Sequence, residues 1–155
     1  MSLLAAKDGY QSSAGRRLIS DEIAHSRGDR NRSRAVRRAV LRDTIDAFVR
    51  AAPGHYQILA AKNLTEWSRT AKPSPTSAIV LVEDQDWGDL AGSLTKRFGV
   101  TFAVLNMANA IVPGGGYVEG LAAQEENMFR RTDCHFSIDD DVYDSAVDRY
   151  RPHMT

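Results

Sequence analysis

Two apolar runs rich in β-branched residues constrain this chain more than any other feature. Ser77-Ala-Ile-Val-Leu-Val-Glu83 and Val100-Thr-Phe-Ala-Val-Leu-Asn106 each read as a strand buried on both faces. Between them, Asp86 to Arg97 sets Trp87, Leu90, Leu94 and Phe98 along one side of a helix that Gly99 ends. Strand, helix, strand is the pattern of a βαβ unit, which implies a parallel sheet and a right-handed connection. The expected fold class is therefore α/β, three layers deep, with a mixed and largely parallel central sheet. In such sheets ligands sit beyond the carboxyl ends of the strands. Asn106 lies at one of those ends.

The 155 residues fit one compact domain. Residues 1–32 are polar, with Ser12-Ser13, Gly9, Gly15 and Gly28, and read as a partly ordered arm with a short helical pattern near Leu18 to Ala24. Ser33 is a good N-cap for a helix reaching Arg50, whose stripe is Val36, Val40, Phe48 and Val49 with Ala39 and Ala47. It stops before the turn pair Pro53-Gly54. Tyr56-Gln-Ile-Leu59 reads as a short strand, Pro73-Ser-Pro-Thr76 as a loop, and Val142 to Tyr150 as helix-like.

Twenty basic and twenty acidic side chains cancel, so net charge points to no partner. Their distribution is uneven. Arg27, Arg30, Arg32, Arg34, Arg37, Arg38 and Arg42 face one acid, Asp29, in the same stretch. Arg34, Arg38 and Arg42 are four apart, which makes them one helix face. That face reads as solvated, the alternative being a strip that tracks a polyanion. Cys134, the single cysteine, allows no internal disulfide and suits a reducing compartment. No apolar run approaches the roughly 18 residues that span a bilayer. The first residues lack the apolar length and basic flank of a secretion signal. A cytoplasmic protein without membrane contact is the expectation.

Several candidate sites read as weak. His25, His55, Cys134, His135 and His153 lack metal-ligand spacing, and Asp139-Asp140-Asp141 lacks the alternating ligands and turn glycine of a calcium loop. No metal or cofactor is expected. Cys134-His135 suggests a nucleophile and base, but adjacent residues rarely aim at one another and no orienting acid is evident. Trp67 and Trp87 read as core.

The chemistry-bearing residues follow Asn106. Met107-Ala-Asn109-Ala-Ile-Val-Pro113 leads into Gly114-Gly115-Gly116-Tyr117. Three glycines in a row weaken regular structure. They suit a loop whose backbone approaches a ligand, where successive N–H groups form an anion nest, or simply a flexible turn. Leu121 to Arg131 then reads as helical, with Glu125 on the face of Leu121 and Met128. Glu126 is rotated by about 100° and aligned with Ala122 and Arg130. On an arbitrary helix both glutamates are solvent-exposed and Glu126 pairs with Arg130, which is worth ~0.3–0.5 kcal/mol.

The string Gly114-Gly115-Gly116, seven residues, then Gln124-Glu125-Glu126 resembles the signature of poly(ADP-ribose) glycohydrolases, a branch of the macrodomain fold. Leu105-Asn-Met-Ala-Asn109 and Pro113 resemble the strand end and loop of the microbial-type members. The similarity runs over about residues 34–137 and is strongest over 100–130. It implies a macrodomain-like catalytic domain over residues 33–155, incomplete at its C-terminal end, since the family continues past the glutamate helix into further strands. The chain is then expected to be either a fragment, or one chain of a split protein, or a trimmed relative.

Residue by residue, the resemblance makes Glu126 the catalytic glutamate and Glu125 the one that holds the ribose beside the scissile bond. Asn109 falls where an asparagine contacts that ribose, and Gly114, Gly115 and Gly116 where a loop closes over ribose and diphosphate. Tyr117 and Gln124 belong to the same substrate-binding stretch. Cleavage of a ribose–ribose bond passes through an oxocarbenium-like state that needs a proton for the leaving oxygen and then an activated water. One carboxyl can serve both steps, acid first and base second. Adjacent glutamates on one helix do not face each other across a sugar, so the two-sided carboxylate pair of ordinary glycosidases is not expected.

The implied function is hydrolysis of poly(ADP-ribose), releasing ADP-ribose. The alternatives are hydrolysis of ADP-ribose from a modified protein or nucleic acid, and a module that binds ADP-ribose without cutting it. A further alternative is an interaction protein whose arginine-rich helix meets a polyanion. Nucleic acid is expected as a partner only when itself ADP-ribosylated.

Overall fold

The structure, a computed structural model, describes residue 19 and residues 21–26, 28–72, 78, 80–138, 143–144 and 149–150. The chain divides into two compact units, Met1–Arg50 with Asn106–Thr155, and Ala51–Leu105.

The first unit is built on α1 (Arg30–Arg50). Asp29, not Ser33, caps it: Asp29 Oδ1 accepts from the N–H groups of Asn31 and Arg32, both at 3.0 Å. By Ser33 the helical ladder has already begun, since the Ser33 N–H donates to the Asp29 carbonyl at 3.0 Å. The Ser33 hydroxyl instead reaches back to the Ser26 carbonyl, just after the helical residues 21–25. Val36, Val40, Leu41 and Thr44 form the buried stripe of α1.

That stripe packs on a helix in the C-terminal half of the same unit, α4 (Gln124–Arg131). Leu41, Tyr117, Val118 and Phe129 are the core, flanked by Ile45, Cys134 and Ile138. Full burial of such side chains contributes ~1.5–3 kcal/mol each. Thr44 adds a buried hydrogen bond, its hydroxyl donating to the Arg130 carbonyl at 2.7 Å. A 3-10 helix (Asp133–Ser137) follows α4, and Phe136 meets Phe48 with ring centroids 5.5 Å apart. Further on, β1 (Tyr143–Asp144) pairs antiparallel with β2 (Arg149–Tyr150), Tyr143 opposite Tyr150. The helix expected over Val142 to Tyr150 is therefore corrected to a short ladder at its described residues, as the strand preference of tyrosine allows.

The second unit pairs α2 (His55–Thr70) with α3 (Trp87–Phe98). Helix α3 follows the sequence closely. Asp86 Oδ1 accepts from the Gly88 N–H at 2.9 Å, and Gly99 closes the helix with φ 65° and its N–H on the Thr95 carbonyl. Helix α2 corrects the strand expected at Tyr56-Gln-Ile-Leu59. Its partly buried residues Tyr56, Asn63, Leu64 and Trp67 recur at helical spacing, a periodicity that a four-residue window does not reveal. The Lys72 N–H donates to the Arg97 carbonyl at 3.0 Å, tying the exit of α2 to α3.

Among the described residues the expected macrodomain-like three-layer α/β/α fold with a mixed, largely parallel sheet is not formed. The described residues of the two expected strands, Ser77–Glu83 and Val100–Asn106, belong to no ladder, and the one sheet among the described residues is the β1–β2 pair. Val80 is 88%, Val82 92% and Leu105 83% exposed. The reason is contextual. A β-branched run is a fitted surface, not an autonomous strand, and it needs strands alongside it for its backbone groups. The third expected strand, Tyr56–Leu59, is taken up by α2. Pro73–Thr76, Asp139–Asp141 and His153 lie outside the described residues, as does most of the 1–32 arm.

Candidate active site

The sequence-predicted site residues come together in the first unit, where the loop over residues 107–120 folds back on the start of α4. Ala123 supplies no side-chain cap to that helix. Helical geometry begins at Gln124 rather than at Leu121, because Leu121 is drawn into the loop by its N–H bond to the Gly116 carbonyl at 3.0 Å. Gln124, Glu125 and Glu126 are thus the first turn, where unpaired N–H groups favour negative charge.

Each of the three side chains holds the loop. Gln124 Oε1 accepts from the Met107 N–H at 2.9 Å. Glu125 Oε2 accepts from the Asn109 N–H at 2.6 Å and its Oε1 from the Gly114 N–H at 2.9 Å. Glu126 Oε1 accepts from the Gly116 N–H at 3.2 Å. Asn109 shapes the entry to the loop, its Oδ1 accepting from Ile111 and Val112 N–H groups at 2.9 Å each, an Asx turn.

On sequence the triple glycine suits either an anion nest or a flexible turn. Its amides instead turn inward, onto Glu125, the Val112 carbonyl and Glu126 in order. The need for glycine is sharpest at Gly115. Its φ is 55°, and a Cβ there would lie 2.5 Å from Glu126 Oε1.

Glu125 and Glu126 are 4% and 8% exposed, so the solvated-face expectation for this pair is set aside. Burial without partners is costly for a carboxylate oxygen. Both Glu125 oxygens are held. Glu126 is different: its Oε2 is buried with no hydrogen-bond partner among the described residues. A carboxyl anchored by one oxygen keeps the lone pairs of the other uncommitted.

Tyr117 lies on the opposite side of the loop and is fully buried. Its ring lies 5.1 Å from that of Phe129, and its hydroxyl is 2.8 Å from His135 Nδ1. Tyr117 is therefore an anchor for the loop and does not face an open pocket. His135 is engaged there, which removes the Cys134-His135 nucleophile-and-base reading. Two arginines take roles that the sequence does not assign to them: Arg130, 4% exposed, reaches the Tyr117 carbonyl through Nη1 at 3.5 Å, and Arg37 Nη1 donates to the Gly120 carbonyl at 3.3 Å. Arg130 sits four residues after Glu126, the one signal in the chain that it shares the buried face. Trp67 lines a groove of the second unit with Ala60, Leu64 and Thr95. Among the described residues no group of three or more His, Cys, Asp or Glu side chains is placed to hold a metal, and no helix is long and apolar enough to cross a membrane.

Comparison with known proteins gives one family match, to the family described as microbial-type PARG, catalytic domain, over residues 7–155. No curated protein and no solved structure matches the chain.

Proposed function

We propose that this chain, which belongs to the microbial-type PARG catalytic-domain family, hydrolyses the ribose–ribose O-glycosidic bond of poly(ADP-ribose) and releases ADP-ribose. Membership implies a glycosyl hydrolase at the family level. The observation that carries the reading to a residue is Glu126 Oε2, buried and unpartnered while Oε1 is fixed on the Gly116 N–H.

In this mechanism the Glu126 carboxyl acts first as the acid, giving a proton to the leaving ribose oxygen as the glycosidic C–O bond breaks. A water oxygen then bonds to the oxocarbenium-like carbon while the Glu126 carboxylate takes one proton from that water, which restores the acid. One water is consumed and two hydroxyls result. Glu125 positions the ribose, directly through the lone pairs its oxygens retain and indirectly through the Asn109 and Gly114 amides it holds. Asn109, Gly114, Gly115, Gly116 and Gln124 form the frame, and Tyr117 pins it to the core.

The test is incubation with labelled poly(ADP-ribose). ADP-ribose should appear with the parent protein and not with Glu126→Gln. Binding of ADP-ribose in calorimetry with the polymer left intact would replace this reading with that of a binding module.

A further inference from the structure

We infer that the arginine row of α1 is a second contact site for the same polymer, one that binds phosphates of repeats beyond the one being cut. The inference rests on the proposed function for the identity of its polyanion. Its own evidence is charge and placement. Arg30, Arg34, Arg38 and Arg42 succeed one another at four-residue steps along α1, so they form a ridge that drifts slowly around the helix. Arg30, Arg34 and Arg42 are exposed and Arg38 is half-buried. For Arg30, Arg34 and Arg38 there is no ion pair among the described residues to neutralise them.

The row also begins beside the candidate active site. Gly120, four residues beyond Gly116, adopts φ 81° and sits so close to α1 that a Cβ there would lie 2.5 Å from the Arg34 carbonyl oxygen. Arg37 clamps the same residue through its carbonyl. The loop that holds Glu126 on one side is thus seated on the arginine helix on the other.

Length then selects the ligand. Arg30 and Arg42 are about 18 Å apart along the axis, so a single diphosphate engages neighbouring guanidiniums at most. A chain of repeating diphosphates can run along all of them. Guanidinium forks match phosphate oxygens, and in water such contacts act by displacing counterions. The row therefore raises affinity for the polymer and leaves free ADP-ribose untouched.

The experiment compares the parent with the triple variant Arg30→Gln/Arg34→Gln/Arg38→Gln, whose folding is checked by circular dichroism. Arginine-to-lysine changes at the same positions serve as the charge-preserving control. The triple variant should raise KM for long poly(ADP-ribose) roughly tenfold near 0.1 M salt and lower the magnitude of its log–log salt slope by about two. Turnover at saturation and inhibition by free ADP-ribose should stay unchanged, and the lysine variant should restore most of the affinity. An unchanged polymer KM, or an equal loss toward free ADP-ribose, overturns the inference. So does a parent that binds single-stranded DNA more tightly than the polymer, with the triple variant losing that preference. A parent protein that releases no ADP-ribose at all refutes the proposed function instead. The row is then judged by filter retention of intact polymer, with the same salt dependence required.

Discussion

The two units of this chain solve the problem of burying apolar surface to very different degrees. In the first, Leu41, Tyr117, Val118 and Phe129 form a closed core, and even the side chains of Glu125, Glu126 and Arg130 are withdrawn from water. In the second, neither helix has a fully buried residue, and Val80, Val82 and Leu105 stand almost wholly exposed around them. The difference teaches where precision is available. Carboxylates can be held to fixed amides only where a core fixes both partners, and among the described residues the first unit alone provides one.

Chemistry gives the harshest test of that contrast. Glu126→Gln should lower the release of ADP-ribose by ~10²–10⁴-fold with ADP-ribose binding little changed, because the lost proton transfer acts in the transition state. Trp67→Ala in the second unit should leave turnover near the parent's, and a comparable loss there would break the comparison.

Stability comes next. Leu41→Ala should cost ~2–5 kcal/mol, read as a lower urea midpoint, whereas Leu64→Ala in α2 should cost less than half as much because Leu64 is only partly buried. Equal costs would show that the second unit is as well packed as the first. Gly115→Ala combines a left-handed backbone, worth ~1–2 kcal/mol, with a collision on Glu126. It should lower the urea midpoint and cut turnover together. The smallest effect belongs to Tyr117→Phe, which removes the hydrogen bond to His135 at a cost of ~1 kcal/mol. It should shift the midpoint modestly and raise the hydrogen-exchange rate of the Gly114 and Gly116 amides.

Legibility followed the same division. That Gly114–Gly116 and Gln124–Glu126 belong to one site is an expectation the family resemblance supplies, since the residues alone allow a flexible turn and a solvated helix face; the structure brings the two segments together through the Gly114 and Gly116 amides. The C-terminal end of α1 and the Gly99 end of α3 are legible in the sequence too, whereas Asp29 outcompetes Ser33 as the cap of α1 and Asp86 caps α3 from outside it. The sheet was not legible, since Ser77–Glu83 and Val100–Asn106 have strand character only when other strands lie beside them, and no single segment reveals whether they do. Tyr56 was misread for want of window length. The Tyr117–His135 bond joins residues that no local pattern pairs, and the burial of Arg130 is signalled only by its place four residues after Glu126.

The carboxylate bonds to the Asn109, Gly114 and Gly116 amides have a thermodynamic consequence for any ligand. Fixing a loop residue removes ~1–2 kcal/mol of backbone freedom, and in many glycine-rich loops that ordering falls to the ligand. Here the chain's own first helical turn has done it in advance. A ligand arriving at this loop meets a frame already set, so its association should carry a small entropic penalty, and its affinity is governed by the contacts it makes instead of the disorder it must quench.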